Sequence, residues 1–227
     1  MSEEITGRTA LLIGQSGVDR LKNSRVAVIG LGGVGGHCAE ALARAGVGKL
    51  HLVDTDTVAL SNLNRQCFAT FSTVGMKKTE AAALRLREVS NAQLTFSETF
   101  VLPGTVSAAL PGEFDFVVDA IDTLSGKVAV ALWCREHGVP LISCLGAGNR
   151  FDPGRFQVTD LAKTAGCPLA RAFRHALRKE GIEHLTVVFS DEPAKRGEGQ
   201  TVIGSLAPVT AAAGLQAAAY VIRSLVL

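Results

Sequence analysis

Val26-Ala-Val-Ile-Gly-Leu-Gly-Gly-Val-Gly-Gly-His-Cys-Ala-Glu-Ala-Leu-Ala-Arg-Ala-Gly46 passes from an apolar, β-branched run, through clustered glycines, into Ala and Leu at helical spacing. That order predicts strand, turn and helix. Within it, Gly30-x-Gly32-x-x-Gly35, with Gly33 and Gly36 between and after, has the spacing of a phosphate-binding turn. Glycine permits the sharp reversal, lets a phosphate approach the backbone, and lets the helix sit close on the strand. The N–H groups at the helix start then attract an anion. A second apolar run, Lys49-Leu-His-Leu-Val53, ends at Asp54, 24 residues beyond Gly30. An acid about 20 residues on is where a nucleotide ribose is held. A turn that serves packing alone is the competing reading; agreement of strand, turn, helix, strand and acid favours a nucleotide site at Gly30, Gly32, Gly33, Gly35 and Asp54.

The 227 residues suffice for one large domain with a substantial core, and 47% hydrophobic content with 19% charge excludes wholesale disorder. Net charge is only +2, so a nucleic-acid partner would have to meet a local patch. Met1-Ser-Glu-Glu lacks the cationic start of a secretory signal, which predicts a cytoplasmic protein. Five scattered cysteines, at 38, 67, 134, 144 and 167, form no C-x-x-C pair and suggest neither disulfides nor structural zinc.

Outward from the glycine turn, the pattern predicts an N-terminal arm (1–24), a nucleotide-binding core (25–150) and a C-terminal substrate or dimer part (151–227) of a single domain. In the arm, Thr6–Gly14 reads as a short helix leading to Gly17 and a second turn, 18–22. Beyond Asp54 the β-α-β rhythm breaks into a polar insert, 55–68, before a helix over 79–90. Strand candidates follow at 94–100, 114–122, with its acids at the C-terminal end, and 141–145, with a helix over 125–137. Further on, Phe151–Val158 reads as an antiparallel hairpin turning at Pro153-Gly154, then a basic amphipathic helix over 168–179 and a strand over 185–189. Ser190–Gln200, charged and glycine-containing, reads as a mobile loop able to cover a crevice. The apolar stretch 208–227 reads as a buried or subunit-interface helix, not a membrane span. The fold class is α/β: a Rossmann-like, mainly parallel sheet with a glycine-rich nucleotide loop, plus C-terminal antiparallel strands and helices.

A glycine turn with an acid suits a nicotinamide, a flavin or ATP equally. Gathering Asp56, Asn62, Arg65, Gln66, Lys78 and Asp122 beside it favours ATP, since hydride transfer needs no array of phosphate-neutralising groups. A carboxylate attacking the α-phosphate needs cations to hold the triphosphate and to neutralise the departing pyrophosphate. Arg65 and Lys78 supply fixed cations, and Mg²⁺ held by Asp122 would supply the rest. Taken singly, each of these residues also reads as an ordinary surface charge. Arg8 reads either as a solvated charge or as a group reaching a phosphate across a subunit boundary. His37 reads as a helix-face residue, and Cys67 and Cys167 as packed thiols.

Gly-Leu-Gly-Gly-Val-Gly, Asp54-x-Asp56, Ser61-Asn62-Leu-Asn-Arg65-Gln66, Val74-Gly-x-x-Lys78 and Asp119-Ala-Ile-Asp122 occur in order over about residues 8–150. In these motifs the chain resembles the ubiquitin-activating-enzyme superfamily and its bacterial adenylyltransferases. The resemblance implies that Asp54 binds ribose, that Asn62, Arg65, Gln66 and Lys78 bind phosphates, and that Asp122 holds Mg²⁺. It also implies that Arg8 serves the ATP of a partner subunit, hence a homodimer. Lacking the zinc-binding cysteine pairs of the sulfur-carrier branch, the chain is similar instead, at Gln157-Val-Thr-Asp160-Leu-Ala-Lys163-Thr164, Cys167-Pro-Leu-Ala170 and Val188-Phe-Ser-Asp-Glu-Pro193, to the tRNA threonylcarbamoyladenosine dehydratases. That branch implies ATP-dependent adenylylation of the threonyl carboxylate on tRNA, then ring closure by the modification's own nitrogen. A basic rim of Arg150, Arg155, Arg171, Arg174 and Arg178 is the expected tRNA contact. A monovalent cation and a sulfur-relay protein are left open. The alternatives are an adenylyltransferase acting on a ubiquitin-like sulfur carrier, a nicotinamide or flavin oxidoreductase, and a non-catalytic nucleotide scaffold.

Overall fold

In the computed structural model, which describes residues 2–195, 199 and 201–227, the Val26 run becomes β1 (Arg25–Ile29) and the glycine turn opens α2 (Gly35–Ala45). Ahead of them lies α1 (Ser2–Asn23). After them come β2 (Lys49–Val53), α3 (Lys78–Val89), β3 (Gln93–Ser97), the short α4 (Val106–Ala109), β4 (Phe116–Asp119), α5 (Leu124–His137) and β5 (Leu141–Cys144). The chain ends with β6 (Phe156–Asp160), α6 (Pro168–Lys179), β7 (Thr186–Ser190) and α7 (Ala207–Val226).

The strands form one sheet in the order β3-β2-β1-β4-β5-β7-β6. Every neighbouring pair is parallel except β6 with β7. Helices cover both faces, which explains why β1 and β4 read as unbroken apolar runs. Val26 and Val28 face a layer containing Leu42 of α2, Leu86 of α3 and Ala217 of α7, whereas Ala27 and Ile29 face one containing Trp133 of α5 and Phe173 of α6. The chain leaves β1 toward β2 on one side and later returns to β4 on the other. This reversal opens a crevice at the C-terminal ends of β1 and β4.

Three glycines make the turn possible, each for its own reason. Gly30 has φ +88, a left-handed conformation, and a Cβ there would lie 2.8 Å from the Ala120 carbonyl oxygen. A Cβ on Gly35 would collide with the Gly30 carbonyl, so α2 rests on its own strand only with glycine there. On Gly214 of α7 a Cβ would collide with the Val34 carbonyl. The last contact shows what α7 is. It is long and apolar enough to cross a membrane, yet Val209, Ala213, Ala217 and Val221 are fully buried against the sheet and α2.

The arm is two helical segments meeting at a non-helical Gly14 (φ 74, ψ 165), the expected end of the short helix; the second segment runs on to Asn23 with Gly17 buried in it against Ile13. One expectation is corrected. Pro153–Arg155 is a 3₁₀ turn and not the tip of a hairpin. The strand after it is antiparallel as expected, but its partner is β7, with Phe156 opposite Ser190 and Asp160 opposite Thr186. Local turn residues foretold a reversal; the actual pairing partner arrives only after α6. The expected covering loop, 190–200, includes Arg196, Gly197, Glu198 and Gln200, which lie outside the described residues, as does Met1.

Candidate functional site

The glycine loop, the ends of β2, β4 and β5, and the polar insert surround a cleft of about 910 Å³. This is the size of a small-molecule site. At its base the N–H groups of Gly32, Gly33 and Val34 meet no acceptor among the described residues. They are the unsatisfied donors of a helix start, and they suit an anion. A Cβ on Gly32 would come no nearer any atom than 3.9 Å, so the backbone is open here.

Asp54 leaves β2 beside this loop. Its Oδ2 accepts from the Leu31 N–H at 2.7 Å and its Oδ1 from the Asp56 N–H at 2.9 Å. The carboxylate is thus fixed against the glycine turn. The polar insert then folds back on itself, with an isolated bridge between Thr57 and Lys77, and delivers Lys78 to the start of α3. Lys78 is buried, its ammonium 2.7 Å from Asp56 Oδ2 and 3.8 Å from Asp54 Oδ2. Such a buried cation is a compact point charge held between two carboxylates at the cleft wall.

Across the insert, Leu60–Asn62 forms a short 3₁₀ turn in which Asn62 Oδ1 accepts from the Ala59 N–H at 3.0 Å. The Arg65 guanidinium is aimed by the Ser61 carbonyl at 3.1 Å and by Asn64 Oδ1 at 2.9 Å, both through one nitrogen. Asn64 in turn donates to the Ser205 carbonyl ahead of α7. His37, expected to be a passive helix-face residue, lies 3.3 Å through Nε2 from the Arg65 carbonyl. It braces the insert against α2. Cys67 stays a thiol, burial pushing it up to about 12.

Asp122 follows β4, is exposed, lines the cleft, and has no partner among the described residues. No group of three or more His, Cys, Asp or Glu side chains is clustered for a metal among those residues. A lone cleft carboxylate beside a triphosphate fits Mg²⁺, which keeps several waters and takes few protein ligands.

Gly30, Gly32, Gly33, Asp54, Asp56, Asn62, Arg65, Gln66, Lys78 and Asp122 all line this one cleft, and Gly35 supports it from within α2. Arg8, exposed on α1, does not line it. The expected basic rim is dispersed. Arg150 lines the cleft but is buried, its Nε donating to the Gly146 carbonyl. Arg155 pairs with Asp191 at 2.8 Å, and Arg174 donates to the Thr164 and Leu161 carbonyls.

Two contributors escape a linear reading. Thr210 of α7 lines the cleft, and a Cβ on Gly33 would come within 2.9 Å of its hydroxyl. Lys127 of α5 is wholly buried and donates to Asp119 Oδ2 (3.0 Å), Ser143 Oγ (3.1 Å) and the Cys144 carbonyl (2.7 Å). Asp119 Oδ1 also accepts from the Ile121 N–H. The network therefore ties the turn carrying Asp122 to the end of β5. An isolated charge in the apolar run Gly126-Lys127-Val-Ala-Val-Ala131 was its available signal; Thr210 offers none.

Fold and cleft together define a Rossmann-like nucleotide-binding protein whose cleft is lined by Arg65 and Lys78. The chain belongs to the ThiF family, whose family model matches residues 6–227. It is 43% identical over 187 residues to the tRNA threonylcarbamoyladenosine dehydratase of Bacillus subtilis, covering 82% of this chain and 74% of that protein. The crystal structure of the Escherichia coli tRNA N6-threonylcarbamoyladenosine dehydratase in complex with ATP is similar with a TM-score of 0.92 and 34% identity, over 98% of this chain and 94% of that one. The molybdopterin-synthase adenylyltransferase of Escherichia coli is 39% identical over 172 residues, 76% of this chain and 66% of that protein.

Proposed function

We propose that this chain is an ATP-dependent tRNA threonylcarbamoyladenosine dehydratase acting in the cytoplasm. The carboxylate of the modification attacks the α-phosphate of ATP, breaking the α–β phosphoanhydride and releasing pyrophosphate. A nitrogen of the modification then attacks the acyl carbon of the adenylate, loses its proton and expels AMP, closing a ring. The oxygen lost from the carboxylate leaves on AMP, so the nucleoside has lost one water. No enzymic nucleophile is required. That agrees with Cys67 and Cys144, both held as thiols by burial, which pushes each up to about 12.

The chain's residues divide this work by position. The free N–H groups of the glycine loop bind phosphate, Asp54 binds the ribose, and Asn62 and Gln66 bind the phosphate oxygens. Arg65 and Lys78 neutralise charge growing on the leaving pyrophosphate. Asp122 would hold Mg²⁺, which supplies further charge neutralisation when bound. Arg8 serves the ATP of a second subunit, a homodimer supported by the exposed Leu11 and Leu12 beside it on α1.

The observation that carries this reading is the match along 98% of the chain to a dehydratase solved with ATP. The 39% identity to a molybdopterin-synthase adenylyltransferase supports a second reading, activation of a carrier protein's C-terminus, which shares the first half-reaction. Mass spectrometry of nucleosides from threonylcarbamoyladenosine-containing tRNA, incubated with the protein, ATP and magnesium and processed gently, separates them. An ATP-dependent loss of one water mass, absent with Asp122→Ala, is expected. No mass change, from folded protein that binds ATP, overturns the tRNA reading in favour of a carrier.

A further inference from the structure

We infer that one face of α6, carrying Arg171, His175 and Arg178, takes the phosphate backbone of the RNA substrate and leads it to the cleft; the inference rests on the tRNA reading above. These residues stand at i, i+4 and i+7, one stripe of the helix running about 10 Å. The opposite stripe, Ala170, Phe173 and Leu177, is buried in the core, so the orientation of the basic stripe is fixed by packing. Arg174, at the stripe's edge, is spent on the Leu161 and Thr164 carbonyls and anchors the helix to the preceding turn. What remains is a basic face whose three exposed side chains are carried on a helix fixed by packing.

Two observations point this surface at a polyanion. First, α6 contains no acidic residue, and Arg171, His175 and Arg178 form no ion pair among the described residues. Elsewhere Arg155 is neutralised by Asp191, and Arg44 and Arg85 by Glu40. In a chain of net charge +2, unneutralised cations gathered on one helix mark where an anion belongs. Second, the stripe lines an open groove of about 750 Å³ whose other walls include Cys167 and Pro168. Cys167 and Pro168 also line the nucleotide cleft. Groove and cleft are thus neighbours across the start of α6, and a strand lying along the helix reaches the reaction centre without crossing the body of the protein.

The chemistry favours RNA over an acidic protein. Guanidinium groups match phosphate in a two-pronged geometry, whereas a protein interface needs buried aromatic or aliphatic anchors at its centre. The large apolar side chains of α6 already face inward, which leaves the groove without such an anchor.

The test compares wild type with Arg171→Gln/Arg178→Gln and, as a charge-keeping control, Arg171→Lys/Arg178→Lys. It measures tRNA binding at several salt concentrations, dehydration kinetics, ATP affinity and thermal stability. In the Gln variant, Kd and KM for tRNA should rise about tenfold, and the slope of log Kd against log salt should fall by about 1.5, two phosphate contacts' worth. kcat at saturating tRNA, ATP affinity and stability should stay unchanged, and the Lys variant should recover most of the binding. If wild type dehydrates tRNA and the Gln variant keeps its KM and salt slope, the α6 surface is wrong and the reaction stands. If wild type binds tRNA through these arginines but dehydrates none, the reaction is wrong and the surface stands. If wild type binds no tRNA, or uses these arginines for an acidic carrier protein, both fall.

Discussion

Lys78 and Arg65 carry the largest electrostatic demand of the proposed chemistry, and the structure holds them differently. Lys78 is buried between Asp54 and Asp56, whereas Arg65 is steered through one nitrogen by a carbonyl and an amide. Lys78→Ala or Arg65→Ala should therefore slow adenylylation on the order of 10²-fold, read as ATP–pyrophosphate exchange; folded variants with wild-type exchange would contradict the phosphate role. Lys127 is a different kind of residue. Its ammonium meets the Asp119 carboxylate with both side chains fully buried, and removing one partner strands a buried charge at about 3–5 kcal/mol, whereas replacing both with apolar groups costs far less. Lys127→Met should accordingly lower the denaturant midpoint strongly, and Lys127→Met/Asp119→Leu should recover much of it. Arg65 and Lys78 were legible in sequence because each belongs to a short motif, Ser61-Asn62-Leu-Asn-Arg65-Gln66 and Val74-Gly-x-x-Lys78. Lys127 was not, because Asp119 and Ser143, its partners, lie on two other elements.

At the level of elements, α2 and α7 form the clamp behind the glycine loop. Gly214 brings α7 against the Val34 carbonyl at the start of α2, and Thr210 stands beside Gly33. Gly214→Val should force the two helices apart, costing about 1–3 kcal/mol as overpacking does and weakening ATP binding through displacement of the loop. Urea denaturation and ATP titration of the same variant check the two effects; a full-strength ATP site on a destabilised protein would confine the role of α7 to packing. The hairpin expectation failed at this scale for a definable reason: Pro153-Gly154 marks a turn, but a turn does not say which strand the chain will meet next. Sheet partners separated by a whole helix are chosen by burial of both faces and by hydrogen-bond register.

For the whole molecule, two properties follow from assembly. If Arg8 serves a partner's ATP, heterodimers of an Arg8→Ala subunit and an Asp122→Ala subunit regain one intact composite site, and should recover part of the dehydration lost in either parent. Verified heterodimers without recovery would remove Arg8 from the chemistry. The second property is acid lability. His51 in β2 is buried, with Nε2 2.8 Å from the Ala109 carbonyl and Nδ1 2.8 Å from the Thr95 hydroxyl, and burial lowers its pKa. The folded state thus binds fewer protons than the unfolded chain, whose histidine titrates near 6.5. This contribution to stability is complete above about pH 6.5 and is lost as pH falls below it toward the lower folded-state value. Melting temperature should drop over that range, and His51→Gln should flatten the profile.

The order of residues alone determined the parallel Rossmann-like fold, the glycine loop and the identity of the polar groups around it. Those features are written in short-range terms: glycines where φ or close approach demands them, apolar runs for strands covered on both faces, and polar clusters at strand ends. Only the tertiary structure decided that Asp119 is a buried anchor while Asp122, three residues on, is free in the cleft. It likewise decided which of five expected rim arginines remain unneutralised, and that an apolar C-terminal helix belongs to the core. Each of these depends on which distant backbone or side chain arrives alongside, and that is set by the packing of the whole sheet, not by local sequence.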